Sequence, residues 1–172
     1  MATIKEIIEI TSSYTVLYVE DDEKLAETVI TYLSKFFKEV TYAKNGAEGL
    51  DVYRQHSFNL VFTDISMPIM DGLEMSKEIK KINNDQVIVI FSSYSDTDLF
   101  VSSADLGIDG YIIKPIDYEE FNDKLYKIAK KMKSKEHNNI DAEEIINLNN
   151  NILEKMNTID NLGKTTEGSE KK

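Results

Sequence analysis

Five short apolar runs, rich in β-branched and aromatic residues, alternate along this chain with stretches whose apolar residues recur at helical spacing. The runs lie at 15–19, 40–43, 58–64, 86–91 and 111–113. Runs of that length and composition are the pattern of strands buried on both faces. The intervening helical faces carry Leu25, Val29, Leu33 and Phe36, then residues from about 47 to 55, then Leu73, Met75, Ile79 and Ile82. A fourth helix is predicted from Asp96 to Leu106, stopped by Gly107, and a fifth carries Phe121, Leu125, Ile128, Ala129 and Met132. Strict alternation of strand and helix means βαβ units, a parallel sheet and right-handed crossovers. The strands need helices on both faces. The prediction is therefore a doubly wound α/β domain of roughly 120 residues, an ordinary domain size.

In such a sheet, ligands bind at the carboxyl ends of the strands, so the residue closing each run matters. The first run ends on Glu20, Asp21 and Asp22. Asp22 fits a helix N-cap, but three adjacent acids exceed what one cap needs. Crowded carboxylates repel unless a cation neutralises them, and a hard divalent ion takes oxygen ligands. Acid runs on solvated turns are nonetheless common. The third run stops on Asp64, followed by the turn residues Pro68, Asp71 and Gly72. Taken alone, Asp64 reads equally well as a turn cap. The fourth ends on Ser92 and Ser93, which alone are ordinary turn residues. The fifth ends on Lys114 and Pro115: a lysine at a strand tip suits an anion, and the proline suits a turn with either peptide isomer. Met67, Met70 and Met75 read as gap-filling core.

Together the tips bring three carboxylates, a hydroxyl and an ammonium to one sheet edge. Carboxylates can hold Mg²⁺, which keeps several waters and needs few protein ligands. The hydroxyl and ammonium can bind phosphoryl oxygens, and an aspartate can become an aspartyl phosphate.

The chain resembles the receiver domain of two-component response regulators. The matching stretches are Val-Leu-Tyr-Val-Glu-Asp-Asp at 16–22, Thr-Asp-Ile-Ser-Met-Pro-Ile-Met-Asp-Gly at 63–72, Ile-Phe-Ser-Ser at 90–93 and Gly-Tyr-Ile-Ile-Lys-Pro at 110–115. The resemblance implies a flavodoxin-like five-stranded sheet of order 2-1-3-4-5. It implies that Asp64 accepts a phosphoryl group from a sensor histidine kinase or phosphotransfer protein. Asp21, Asp64 and the backbone carbonyl of Ser66 would ligate Mg²⁺, with Mn²⁺ as an alternative, and Glu20 would act through a bound water. Ser92 and Lys114 would hold the phosphoryl oxygens, and Tyr111 would be the aromatic switch. Ser66 and Tyr94 would tune the lifetime of the acyl phosphate. The implied protein is a switch with slow self-dephosphorylation, not a conventional enzyme. One rival is an aspartyl-phosphate phosphohydrolase; the phosphatases of that kind want a second carboxylate two residues on, where this chain has Ser66. The other rival is a scaffold or dimerisation module that works without phosphorylation.

A formal net charge of −11 opposes binding to nucleic acid or to anionic lipid. The chain has no cysteine, no apolar run of membrane-spanning length and no signal-peptide pattern, so a cytoplasmic protein is expected. Residues 1–13 read as a loosely docked extension, with Ile4, Ile7 and Ile8 on one face of a short helix, and 14–133 as the receiver domain. The rest, 134–172, reads as a polar linker at 135–139, an amphipathic helix at 141–162 and a disordered end from Gly163. In that helix Ile145, Leu148, Ile152, Ile159 and Leu162 fall on heptad a and d positions, with Lys155 breaking one d. Such a helix suits homodimerisation, connection to an output domain, or docking on the receiver; the first two are favoured, and the last receiver helices are a further dimer surface. No output module is visible in the sequence.

Overall fold

The computed structural model describes residues 3–93 and 106–166. In chain order the elements are α1 (Ile4–Thr11), β1 (Thr15–Val19), α2 (Glu23–Leu33), β2 (Glu39–Ala43), α3 (Gly46–Gln55), β3 (Leu60–Asp64), α4 (Gly72–Ile82), β4 (Val87–Ser92), β5 (Gly110–Ile113) and α5 (Tyr118–Thr166). The helix expected from Asp96 to Leu106 falls, apart from Leu106, outside the described residues, as does Tyr94.

All five strands pair in parallel in the order β2-β1-β3-β4-β5. Alternating side chains supply two apolar layers. Tyr18, Phe62, Phe91 and Ile112 face Val29 and Leu33 of α2 and Phe121 and Leu125 of α5. Leu17, Val19, Val61 and Ile88 face Leu50 and Tyr53 of α3 and Met75 and Ile79 of α4. This is the doubly wound sheet that the strand–helix alternation predicts.

The helices begin abruptly after the strand tips because short polar side chains cap them. Asp22 accepts from the backbone amides of Lys24 and Leu25, both at 3.0 Å. Asn45, Asp71 and Asp117 do the same for α3, α4 and α5. Each cap satisfies amides that have no partner inside the helix.

Two expectations need correction. The N-terminal extension is not loosely docked. Thr3 and Glu6 close a capping box, Ile7 is completely buried in the core, and the buried Thr11 hydroxyl donates to the Phe36 carbonyl at 2.9 Å. The polar stretch at 135–139 is helical, part of α5, and the helix continues past Gly163 to Thr166. Lys135, Glu136, His137, Asn138 and Asn139 include neither proline nor glycine, so polarity alone does not break the helix there.

The chain divides into two compact units, Met1–Met132 and Lys133–Lys172. The first holds the sheet and buries Phe121, Leu125, Ala129 and Met132 of α5. In the second, Ile145, Leu148 and Ile152 are exposed.

Candidate functional site

Strand register builds the site. Val19 pairs with Thr63, so Glu20 and Asp64 follow at the same level of neighbouring strands. Ser92 pairs with Ile113, and the backbone amide of Lys114 donates to the Ser92 carbonyl at 2.7 Å. Lys114 therefore leaves the sheet beside the tips of β1 and β3. Its ammonium lies 2.8 Å from Glu20 Oε2 and 3.0 Å from Asp64 Oδ1. Carboxylate oxygens of Glu20, Asp21 and Asp64 all lie within 4.8 Å of one another. Glu20 and Asp64 are buried, whereas Asp21 is exposed at the rim. The Lys114–Pro115 peptide is cis.

The chain after Asp64 turns tightly back on it. The Gly72 amide donates to the Ile65 carbonyl at 2.9 Å. A Cβ on residue 72 would stand 1.9 Å from the Asp64 carbonyl oxygen, so only glycine allows this approach.

Electrostatics follow from the packing. Burial pushes the Asp64 carboxyl up to about 6; the Lys114 ammonium opposes that shift, and the Glu20 carboxylate adds to it. Burial works against the charged Lys114, but the hydrogen bonds and charges of Glu20 and Asp64 outweigh it and leave its pKa raised. One ammonium thus faces three acids. The donor set consists of carboxylate oxygens, the type that suits Mg²⁺, and the lysine charge already stands among them. Glu20, Asp21 and Asp64 fit a hard divalent cation.

The other candidate residues stand on β4 and β5 or just beyond the end of β3. Ser92 is a buried residue at the tip of β4. Tyr111 is half-buried on β5, paired with Ile90 and three residues before Lys114. Ser66 is exposed on the turn after Asp64. Glu20, Asp21, Asp64 and Lys114 meet directly.

Two tyrosines at the site escape a reading by motif. Tyr18 donates from its hydroxyl to Glu20 Oε2 at 3.3 Å, and Tyr42 to the Glu20 backbone carbonyl at 2.8 Å. The available signal is the strand period of two: Tyr18 precedes Glu20 by two residues and so shares its face.

Comparison with known proteins now defines the class. The family model described as "Response regulator receiver domain" matches residues 16–126. The chain belongs to the response regulator receiver domain family. It is 31% identical over 121 residues to the response regulator ArlR of Staphylococcus aureus, covering 70% of this chain and 55% of that protein. It is 28% identical over 134 residues to a probable transcriptional regulator, ycf27, of Porphyridium aerugineum, covering 77% of this chain and 55% of that one. The chain thus spans about half the length of these curated relatives. Among solved structures, the non-phosphorylated HemR receiver domain from Leptospira biflexa aligns at a TM-score of 0.62 and 29% identity, covering 68% of this chain and 94% of that one. The N-terminal domain of a Wolinella succinogenes protein aligns at a TM-score of 0.66 and 30% identity, covering 72% and 99%.

Proposed function

We propose that Asp64 is the phosphoacceptor of this receiver domain and that its partner is a sensor histidine kinase or a phosphotransfer protein. The observation that carries this reading is the Lys114 ammonium, held between Asp64 and Glu20 at hydrogen-bonding distance. In the transfer, an oxygen of the Asp64 carboxylate attacks phosphorus, a P–O bond forms, and the P–N bond to the donor imidazole breaks. Asp21, Asp64 and the Ser66 carbonyl would hold Mg²⁺, with Glu20 acting through a water. Bound there, the ion would supply positive charge against the transferring group. Lys114 and Ser92 take the other phosphoryl oxygens. Tyr111 then repacks as Ser92 moves, which biases a two-state equilibrium at the β5 face. The aspartyl phosphate hydrolyses slowly, and Ser66 and Tyr94 set its lifetime. The chain works as a cytoplasmic switch, not as a turnover enzyme.

The test is uptake of label from acetyl phosphate. Wild-type protein incorporates about one phosphoryl group with Mg²⁺ and none with chelator, and Asp64→Asn incorporates none. Equal labelling of Asp64→Asn overturns the assignment.

The second unit supports a homodimer. Ile145 and Ile152 at a positions with Leu148 at d is the composition that favours two parallel strands, and all three side chains are exposed. Sedimentation, with and without beryllofluoride and Mg²⁺, checks this. Ile145→Asp combined with Ile152→Asp should give a monomer, and an unchanged sedimentation coefficient sinks the dimer.

A further inference from the structure

Tyr18 is the residue whose chemistry the phosphoacceptor scheme leaves unused. It lies in the middle of β1, completely buried, with its ring edge-on to Phe91 at 5.7 Å between centroids. A phenylalanine would fill that space equally well. The hydroxyl, however, reaches up the strand to Glu20 Oε2, the same oxygen that Lys114 holds at 2.8 Å. A buried phenol needs a hydrogen-bond partner, and Tyr18 finds it in this carboxylate. Glu20 is itself almost wholly buried, and its second oxygen accepts from the Asp22 amide at 3.3 Å. Burial raises the Tyr18 pKa, with the Glu20 charge adding to the effect, so the phenol stays a donor.

We propose that Tyr18 is a positioning residue for the cation site: its hydroxyl fixes the Glu20 carboxylate in the orientation that a hydrated Mg²⁺ requires. This rests on the reading of Glu20, Asp21 and Asp64 as that site. The physical need arises from Lys114. When a phosphoryl group on Asp64 draws the ammonium away, Glu20 Oε2 loses its charged partner. Tyr18 then holds a buried carboxylate that would otherwise be free to turn away from the ion's water. Phe91 packs edge-on against the tyrosine ring from β4, two strands away, and the i, i+2 spacing on β1 puts both groups on one face. The same layer includes Phe62 and Phe121, so the ring has no room to swing.

The experiment is Mg²⁺ titration of the full chain by calorimetry, paired with the rate of labelling from acetyl phosphate against Mg²⁺ concentration. Tyr18→Phe keeps the ring and its packing. A hydrogen bond as long as this one, of ordinary rather than charge-assisted strength, predicts a rise in the Mg²⁺ dissociation constant of about three- to tenfold. The half-saturating Mg²⁺ for labelling should rise by the same factor, with the saturating rate within about twofold of wild type. In a Glu20→Ala background, Tyr18→Phe should change nothing further. A merely structural tyrosine would lower thermal stability without this split. An unchanged dissociation constant, or a loss that persists without Glu20, overturns the proposal. Should Tyr18→Phe fail to fold, wild-type protein decides. The NMR signal of the Tyr18 ring carbon bearing the hydroxyl should shift on Mg²⁺ saturation, and a static signal counts against the proposal. Wild-type protein that neither binds Mg²⁺ nor takes label defeats the site reading itself, and this inference with it.

Discussion

Replacing the acid at the centre of the site should make the metal-free protein more stable. Asp64 is only 10% exposed at its side chain and its carboxyl is pushed from 3.8 up to about 6 by burial, against the pull of Lys114. The folded protein therefore keeps that proton up to about pH 6, whereas the unfolded chain releases it near 3.8. Between those values the folded state binds more protons than the unfolded one, so stability falls as pH rises. A shift of two units, at 1.36 kcal/mol each, amounts to about 3 kcal/mol above pH 6, with the attraction of Lys114 already counted. Asp64→Asn removes the titration and keeps the shape. In chelator at pH 7.5 the variant should gain on the order of 3 kcal/mol, roughly 10 °C in melting temperature. The gain should shrink steadily from pH 6 to pH 4 and vanish below. Thermal unfolding followed by circular dichroism across that range is the assay. A variant no more stable than wild type at pH 7.5, or a gain that is the same at pH 4.5, would refute the reasoning. Saturating Mg²⁺ should reverse the order, since about 4.1 kcal/mol accrues to the state that binds at one thousand times the dissociation constant.

Other perturbations test the scaffold. Gly72→Ala places a Cβ 1.9 Å from the Asp64 carbonyl oxygen, and backbone must move; a loss of about 2–4 kcal/mol in urea unfolding is expected, together with slower labelling. Ile7→Asp puts a charge where the side chain is completely buried; thermal unfolding should show a loss of about 3 kcal/mol, and an unchanged melting temperature would mean that α1 is dispensable. Asp22→Ala removes the acceptor for two backbone amides of α2 and should cost about 1 kcal/mol in the same melt.

The sheet was readable in the chain because parallel strands buried on both faces leave uninterrupted apolar runs. The helix starts were readable because Asp22, Asn45, Asp71 and Asp117 are short polar residues placed directly before amphipathic stretches. The meeting of Glu20, Asp21, Asp64 and Lys114 followed from strand tips alone, since a parallel sheet brings every carboxyl end to one edge. Tyr18 was hidden because a tyrosine inside an apolar run reads as core, and its ring does lie in the core; only the hydroxyl belongs to the site. The docking of α1 was hidden for a different reason. Three isoleucines on a short polar helix state that one face is sticky, not where it lands, and the Thr11–Phe36 bond spans 25 residues of sequence. The polar stretch at 135–139 has neither breaker nor apolar period, so composition leaves helix and coil equally open.

The arrangement of charge suggests why this edge of the sheet is suited to switching. Two buried acids share one ammonium, with Asp21 beside them at the rim, and burial, reinforced by the Glu20 charge and opposed by Lys114, is what keeps a proton on Asp64 to about pH 6. A divalent cation bound there would favour the ionised carboxylate. A phosphoryl group on Asp64, as proposed, would then add negative charge and compete with Glu20 for the same lysine. Lys114 cannot answer in isolation, because its backbone amide is bonded to the Ser92 carbonyl at 2.7 Å and it directly follows β5, the short strand that carries Tyr111. A change of partner at the ammonium is therefore felt at the junction of β4 and β5. Lys114→Met should uncouple the two ends. Such a protein would still bind Mg²⁺, yet beryllofluoride with Mg²⁺ should no longer shift the Tyr111 ring signals in NMR; a shift as large as in wild type would place the coupling elsewhere.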